Sequence, residues 1–181
     1  MAAQTQTVMA TAGELLKAAG FGFEHVVASR VYITDVAAFQ DMNRNYSPHF
    51  PKDPPARATV VTALPGPTFK VEMTMTAHRG PKQAFTTPGA DGSPGKPSAI
   101  LSSAIKVGNR LYVSGILGNN AQNKGDMTAQ TNELLARVGR TLTAAHPKVD
   151  LALGEQDQTI LGASTGDQLS LGSAPHLGDL P

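Results

Sequence analysis

The chain has 181 residues with 40% hydrophobic, 16% charged and 5% aromatic content, and a net charge of +1. That length allows one ordinary domain, or one domain and a fragment, and the apolar fraction is enough for a true core. The absence of cysteine rules out disulfides, thiolate catalysis and Cys-based zinc sites, while a chain with no Trp and no run of Lys or Arg does not suit nucleic acid.

Residues 3 to 20, AQTQTVMATAGELLKAAG, place Val8, Ala12, Leu15, Leu16 and Ala19 at helical spacing, with Gly20 as the stop signal. His25 to Asp35 turn to β-branched residues and predict a strand. Thr34 or Asp35 then caps a second helix through VAAFQDMNRNY, with Val36, Phe39, Met42, Asn43 and Tyr46 on related faces. The next stretch, SPHFPKDPP, has four prolines in eight residues and predicts a loop. ATVVTAL predicts a strand, with the permanent cation Arg57 at its mouth. After the turn LPGP comes an alternating strand, TFKVEMTMTA, with Phe69, Val71, Met73, Met75 and Ala77 on one face.

Between residues 80 and 98 the composition shifts to Gly, Pro and Ser, as in a linker. SAIKVGNRLYVSGIL predicts a hairpin that turns at Val107-Gly108-Asn109-Arg110. Residues 129 to 146, AQTNELLARVGRTLTAAH, repeat residues 3 to 20 at an offset of 126, with eight identities in 18 ungapped positions. That period is domain-sized. The tail from 147 to 181 shows no sustained period and is expected to be weakly structured or disordered.

Taken alone, Arg57 fits a surface ion pair with Asp53 or Glu72, and Asn43 fits a helix residue bonding a loop. Ser114 lies outside any Gly-x-Ser-x-Gly elbow, and the five histidines lack metal-ligand spacing, so neither a serine nucleophile nor a metal site is expected. No apolar run reaches the roughly 20 residues that span a bilayer. Nor does the N-terminus show a signal-peptide pattern, which makes the cytoplasm the expected compartment.

The ordered set SRVYITDVAAFQDMNRNY and PPARATVVTALP…KVEMTMTA resembles the RidA/YjgF family of enamine and imine deaminases. The matching elements are Val31–Asp35, then Phe39, Met42-Asn43 and Tyr46, then Arg57–Val60 with Leu64-Pro65, and last Val71–Ala77. Residues 98 to 118 resemble the family's opening hairpin through Ser102, Ala104, Ile105, Gly108, Leu111, Val113, Ser114 and Gly115. The resemblance therefore covers most of residues 3 to 146, in the order of a tandem pair cropped at both ends. It divides the chain into a unit at 1–79 that lacks its opening hairpin, a linker at 80–98, the hairpin and first helix of a second unit at 99–146, and the tail.

The resemblance implies an α+β fold, a mixed sheet with two helices on one face, completed here in circularly permuted order by the hairpin. It implies a homo-oligomer, a trimer, with ligand clefts between subunits. The implied chemistry is hydrolysis of 2-imino or enamino acids to keto acids and ammonia, without cofactor or metal. Arg57 then becomes a carboxylate anchor, since a guanidinium offers paired charge-assisted hydrogen bonds and stays protonated. Asn43, Ala58, Thr59, Thr74, Ser114 and Gly115 are the implied ligand-binding residues. Thr74 stands where deaminating members carry an acid, and Leu101 where they carry a tyrosine. A threonine hydroxyl cannot supply the basicity of a carboxylate. Three functions follow: a cofactor-free deaminase, a small-carboxylate binding module without the chemistry, and a structural remnant of a tandem protein.

Overall fold

The computed structural model describes residues 1–146, so the tail expected at 147–181 lies outside the described residues. Helix α1 spans Ala2–Ala18 and buries Thr5 and Met9. Its end is set by Gly20, at φ +75, which lets the chain close two bonds back onto the last turn. Gly20 N–H donates to Lys17 O at 3.0 Å and Phe21 N–H to Leu16 O at 2.8 Å, the pattern of a Schellman stop.

Strand β1, Val26–Ile33, is the centre of the first sheet. It carries a bulge near Val27 that sends Val26 and Val27 into two different cores. The Asp35 side chain then caps a short 3-10 turn, Val36–Ala38, by accepting from Ala37 N–H at 2.8 Å, and the turn runs into α2, Phe39–Tyr46. The proline-rich loop contains one 3-10 turn, Ser47–His49. Strand β2, Ala56–Val61, pairs parallel with β1, and β3, Val71–Ala77, pairs antiparallel on its other side.

The first sheet is thus mixed, in the order β2-β1-β3, and α1 and α2 cover one face. Met9, Val26, Val31, Ile33, Met42, Tyr46, Phe50 and Val71 form the core between the layers. Each large side chain buried there is worth roughly 1.5–3 kcal/mol. Met73 and Met75 pack against this core and Glu72, Thr74 and Thr76 are exposed, as the alternation predicts. Phe69 differs: it precedes the strand, in a turn where its N–H donates to Gly66 O, and is exposed.

A second sheet follows, and its first strand falls inside the stretch that composition marks as linker. Strand β4, Lys82–Phe85, pairs antiparallel with β5, Ala104–Val107, and β5 with β6, Arg110–Val113. The β5–β6 turn is Gly108-Asn109, with Gly108 at φ +57. Strand β4 occupies the edge of β5 away from β6, and an isolated parallel bridge between Ala56 and Ser102, not a full ladder, links the hairpin to the first sheet. The two sheets meet instead at the mouth of β2: Ser102 N–H donates to Pro55 O at 3.3 Å and Gly115 N–H to Arg57 O at 3.1 Å. A small core of Val27, Ala56, Ile105 and Val107 seals the junction. Helix α3, Met127–Ala145, is capped by Asp126, which accepts from Ala129 N–H at 2.9 Å, and lies on the second sheet.

Candidate functional site

The strand register decides which of the expected residues can meet. Across the first sheet, Arg57 lies beside Ser29 and Met75, and Thr59 beside Val31 and Met73. These rows face the helices, as the burial of Ser29 and Val31 shows. Ala58 lies beside Arg30 and Thr74, and that row faces away. Arg57 and Thr59 therefore share one side of the sheet, with Thr74 on the other.

Arg57 is 3% exposed, far from the surface ion pair that its charge alone suggests. Its guanidinium carbon is 4.9 Å from the Tyr46 ring centroid and 5.7 Å from that of Phe39. Asn43, 4% exposed, lies on α2 between those two rings. Among the described residues, four buried side-chain polar atoms have no hydrogen-bond partner: Asn43 Oδ1, Arg57 Nε and Nη1, and Thr59 Oγ1. All four belong to residues that the sequence singles out. None of the ion pairs among the described residues involves Arg57.

Burial pushes the Arg57 guanidinium below its usual range, opposed by the charge that Tyr46 would carry when ionised. Burial likewise pushes the Tyr46 phenol up, against smaller opposing effects of the Ser29 hydrogen bond and Arg57. At neutral pH the pair is a cation over a neutral ring, because arginine keeps its proton under all working conditions. The Tyr46 hydroxyl and Ser29 Oγ are 2.7 Å apart.

Ser114 and Gly115 come to the same strand mouth from the hairpin. Arg57 N–H donates to Ser114 Oγ at 2.8 Å, and the Ser114 hydroxyl donates to Ser102 O at 2.5 Å. Both bonds lock the hydroxyl into the junction. Gly115 is a close-approach glycine: a Cβ there would lie 3.3 Å from Ala58 Cβ and 3.4 Å from its Cα.

Two open clefts flank this junction, and neither is lined by the Arg57 side chain. One of about 670 Å³ runs between the proline-rich loop and residues 96–103, with Lys52, Asp53, Phe85, Lys96 and Leu101 on its walls. The other, of about 540 Å³, is lined by Leu101, Ser114, Gly115, Glu133, Arg137 and Arg140 among others. There Arg137 donates to Glu133 at 2.7 Å and to Leu117 O, and Arg140 donates to Pro88 O, so both guanidinium groups hold loops against α3. Among the described residues no group of three or more His, Asp or Glu is placed to hold a metal, and no helix is long and apolar enough to cross a membrane.

The structure thus brings Asn43, Arg57 and Thr59 to one side of the sheet. Ala58, Ser114 and Gly115 meet at the strand mouth, and Thr74 stands apart from Arg57. Sequence reasoning missed Phe39, Tyr46 and Ser29 as site residues. The two aromatics were discoverable, since they flank Asn43 at helical spacing. Ser29 was not, because the β1–β2 register that puts it beside Arg57 leaves no local signal.

Residues 1–79 match the family described as Endoribonuclease L-PSP. The chain is 41% identical over 63 residues to Reactive Intermediate Deaminase A, chloroplastic, of Arabidopsis thaliana, covering 34% of each protein. It is 40% identical over 77 residues to a RutC family protein of Saccharolobus solfataricus, covering 42% of this chain and 60% of that protein. Among solved structures it is similar to a YjgF family member of Neisseria meningitidis, at 31% identity and a TM-score of 0.40, covering 41% of this chain and 63% of that one. The chain thus spans between about a third and three-fifths of the length of these relatives.

Proposed function

From the premise that residues 1–79 belong to the RidA/YjgF family, we propose that this protein binds small 2-imino or 2-keto carboxylates through Arg57. The observation that carries the reading is the buried guanidinium whose Nε and Nη1 have no protein acceptor. A buried cation without an anionic partner is costly, and a ligand carboxylate supplies both charge and acceptors. Asn43 and Thr59 add a buried, unpaired acceptor and a buried, unpaired hydroxyl on the same side of the sheet. Neither a cofactor nor a metal is required. In keeping with the family resemblance, the ligand-binding species is a homo-oligomer, a trimer.

Hydrolysis of the imine is the second part of the reading: water adds to the C=N carbon, and the adduct collapses to a keto acid and ammonia. Thr74 lacks the basicity for water activation and lies on the sheet face opposite Arg57. That placement favours binding over turnover, so imino acids generated in situ by an amino acid oxidase are expected to be hydrolysed slowly. The direct test is calorimetric titration with pyruvate. Arg57→Ala is expected to weaken binding by roughly 1.5–3 kcal/mol, the value of a hydrogen bond to a charged group. The fold should survive, because the substitution removes an unpaired buried charge. Equal affinity in wild type and variant removes Arg57 from the site.

A further inference from the structure

The feature of the Arg57 site that the family resemblance does not assign is how its side chain is held. A buried arginine is normally fixed by a carboxylate, which also cancels its charge. Here the fixing group is neutral. Tyr46 is fully buried, and its ring centroid is 4.9 Å from the Arg57 guanidinium carbon. Its hydroxyl is tied at 2.7 Å to Ser29, itself 3% exposed. Ser29 is the residue directly beside Arg57 in the parallel β1–β2 register. Strand, hydroxyl pair, ring and guanidinium form a closed loop of contacts: β2 carries Arg57, β1 carries Ser29, and Tyr46 from α2 bridges the two.

We infer that Tyr46 and Ser29 are a positioning pair for Arg57, fixing the guanidinium by a neutral ring so that its charge stays available to a carboxylate ligand. The inference rests on the proposed carboxylate reading for its purpose, but its geometry is testable without ligand. The Ser29–Tyr46 bond fixes the ring plane. The ring quadrupole attracts the cation without donating to or accepting from its N–H groups, and Nε and Nη1 are buried without a hydrogen-bond partner.

The experiment uses the full chain and three variants: Ser29→Ala, Tyr46→Phe, and the two together. The Arg57 Nε–Hε resonance, assigned by its loss in Arg57→Ala, reports positioning in the ligand-free protein. Wild type is expected to show one sharp, ring-shifted signal, and all three variants a broadened one. Pyruvate affinity is expected to fall by about three- to tenfold in each variant, and by no more in the double, since all three remove the same bond. Thermal stability should follow another pattern. Each single substitution strands one buried hydroxyl and lowers the melting temperature, whereas the double removes both hydroxyls and recovers part of the loss. A purely structural role predicts that affinity tracks melting temperature and that the resonance stays sharp, and that result overturns the inference. So does an unchanged resonance in both single variants. If Arg57→Ala binds pyruvate as wild type does, the carboxylate reading fails, while the resonance still decides whether the pair positions Arg57.

Discussion

Helices α1 and α3 carry one motif twice, 126 residues apart, and bury different faces of it. Met9 is fully buried and Thr5 with it, whereas their counterparts Leu135 and Thr131 are exposed, Leu135 by 51%. In the other direction, Leu15 is 68% exposed, and its counterpart Thr141 is fully buried. At about 100° per residue the two buried faces lie a little under a quarter of a turn apart. The reason is the company each helix keeps. Helix α1 packs against both α2 and β3, and its Met9 stripe faces the core that they share. Among the described residues helix α3 packs on the second sheet, and turns Thr141 and Ala145 toward it, where the Thr141 hydroxyl meets that of Thr87 at 2.7 Å. A wide apolar arc permits several orientations, and the neighbours select one.

The comparison breaks most readily at its most buried position. Met9→Ala is expected to cost roughly 2–5 kcal/mol in urea unfolding, from lost burial and the cavity left behind. The matching Leu135→Ala should stay within about 0.5 kcal/mol, as at other exposed sites. A large loss at Leu135 would mean that its face is covered in solution. A smaller contrast is expected one face around. Thr141→Val strands the Thr87 hydroxyl and should cost about 1–3 kcal/mol, while Leu15→Thr, which gives α1 the residue α3 has there, should be nearly neutral at about 0.5 kcal/mol or less.

The finest contrast is in acid. Hydrogen bonding from Arg137 first, with further help from its charge and from Arg140, holds the Glu133 carboxyl below its ordinary value of 4.5. Its folded pKa is depressed, so its contribution is complete above the ordinary value and fades as pH falls through the folded one. The corresponding residue in α1 is Thr7, which bonds Ala3 O and does not titrate. Protection of the amides from exchange should therefore be lost in α3 before α1 as pH is lowered through and below the ordinary carboxylate value. Simultaneous release of both helices would show that the Glu133 cluster does not hold α3.

Much of the first unit was legible in the chain. The periodicity of Val8, Leu16 and their neighbours, the Gly20 stop, the Asp35 cap and the Val71–Ala77 alternation are local patterns, and each was realised within a few residues. Asn43, Arg57 and Thr59 were singled out through the family resemblance, and the structure buries unpaired polar atoms of all three on one side of the sheet. Lys82–Phe85 was hidden because a four-residue strand inside a Gly/Pro-rich stretch has too little alternation to register, and is made by the free edge of β5. Ser29 was hidden because register is a property of two strands and not of either alone.

Sequence by itself determined the types and order of the main elements other than β4, the turns at Gly20 and Gly108, and the choice of an arginine for the strand mouth, because short-range sterics and residue chemistry act within a few residues. Tertiary structure alone decided which face each repeated helix buries, that the hairpin meets β2 by its ends while β4 takes its edge, that Arg57 and Thr74 stand on opposite faces, and that Tyr46 and Ser29 hold the guanidinium. These depend on which surfaces meet, and burial, cation–π contact and strand register arise only once distant segments share a boundary from which water is excluded.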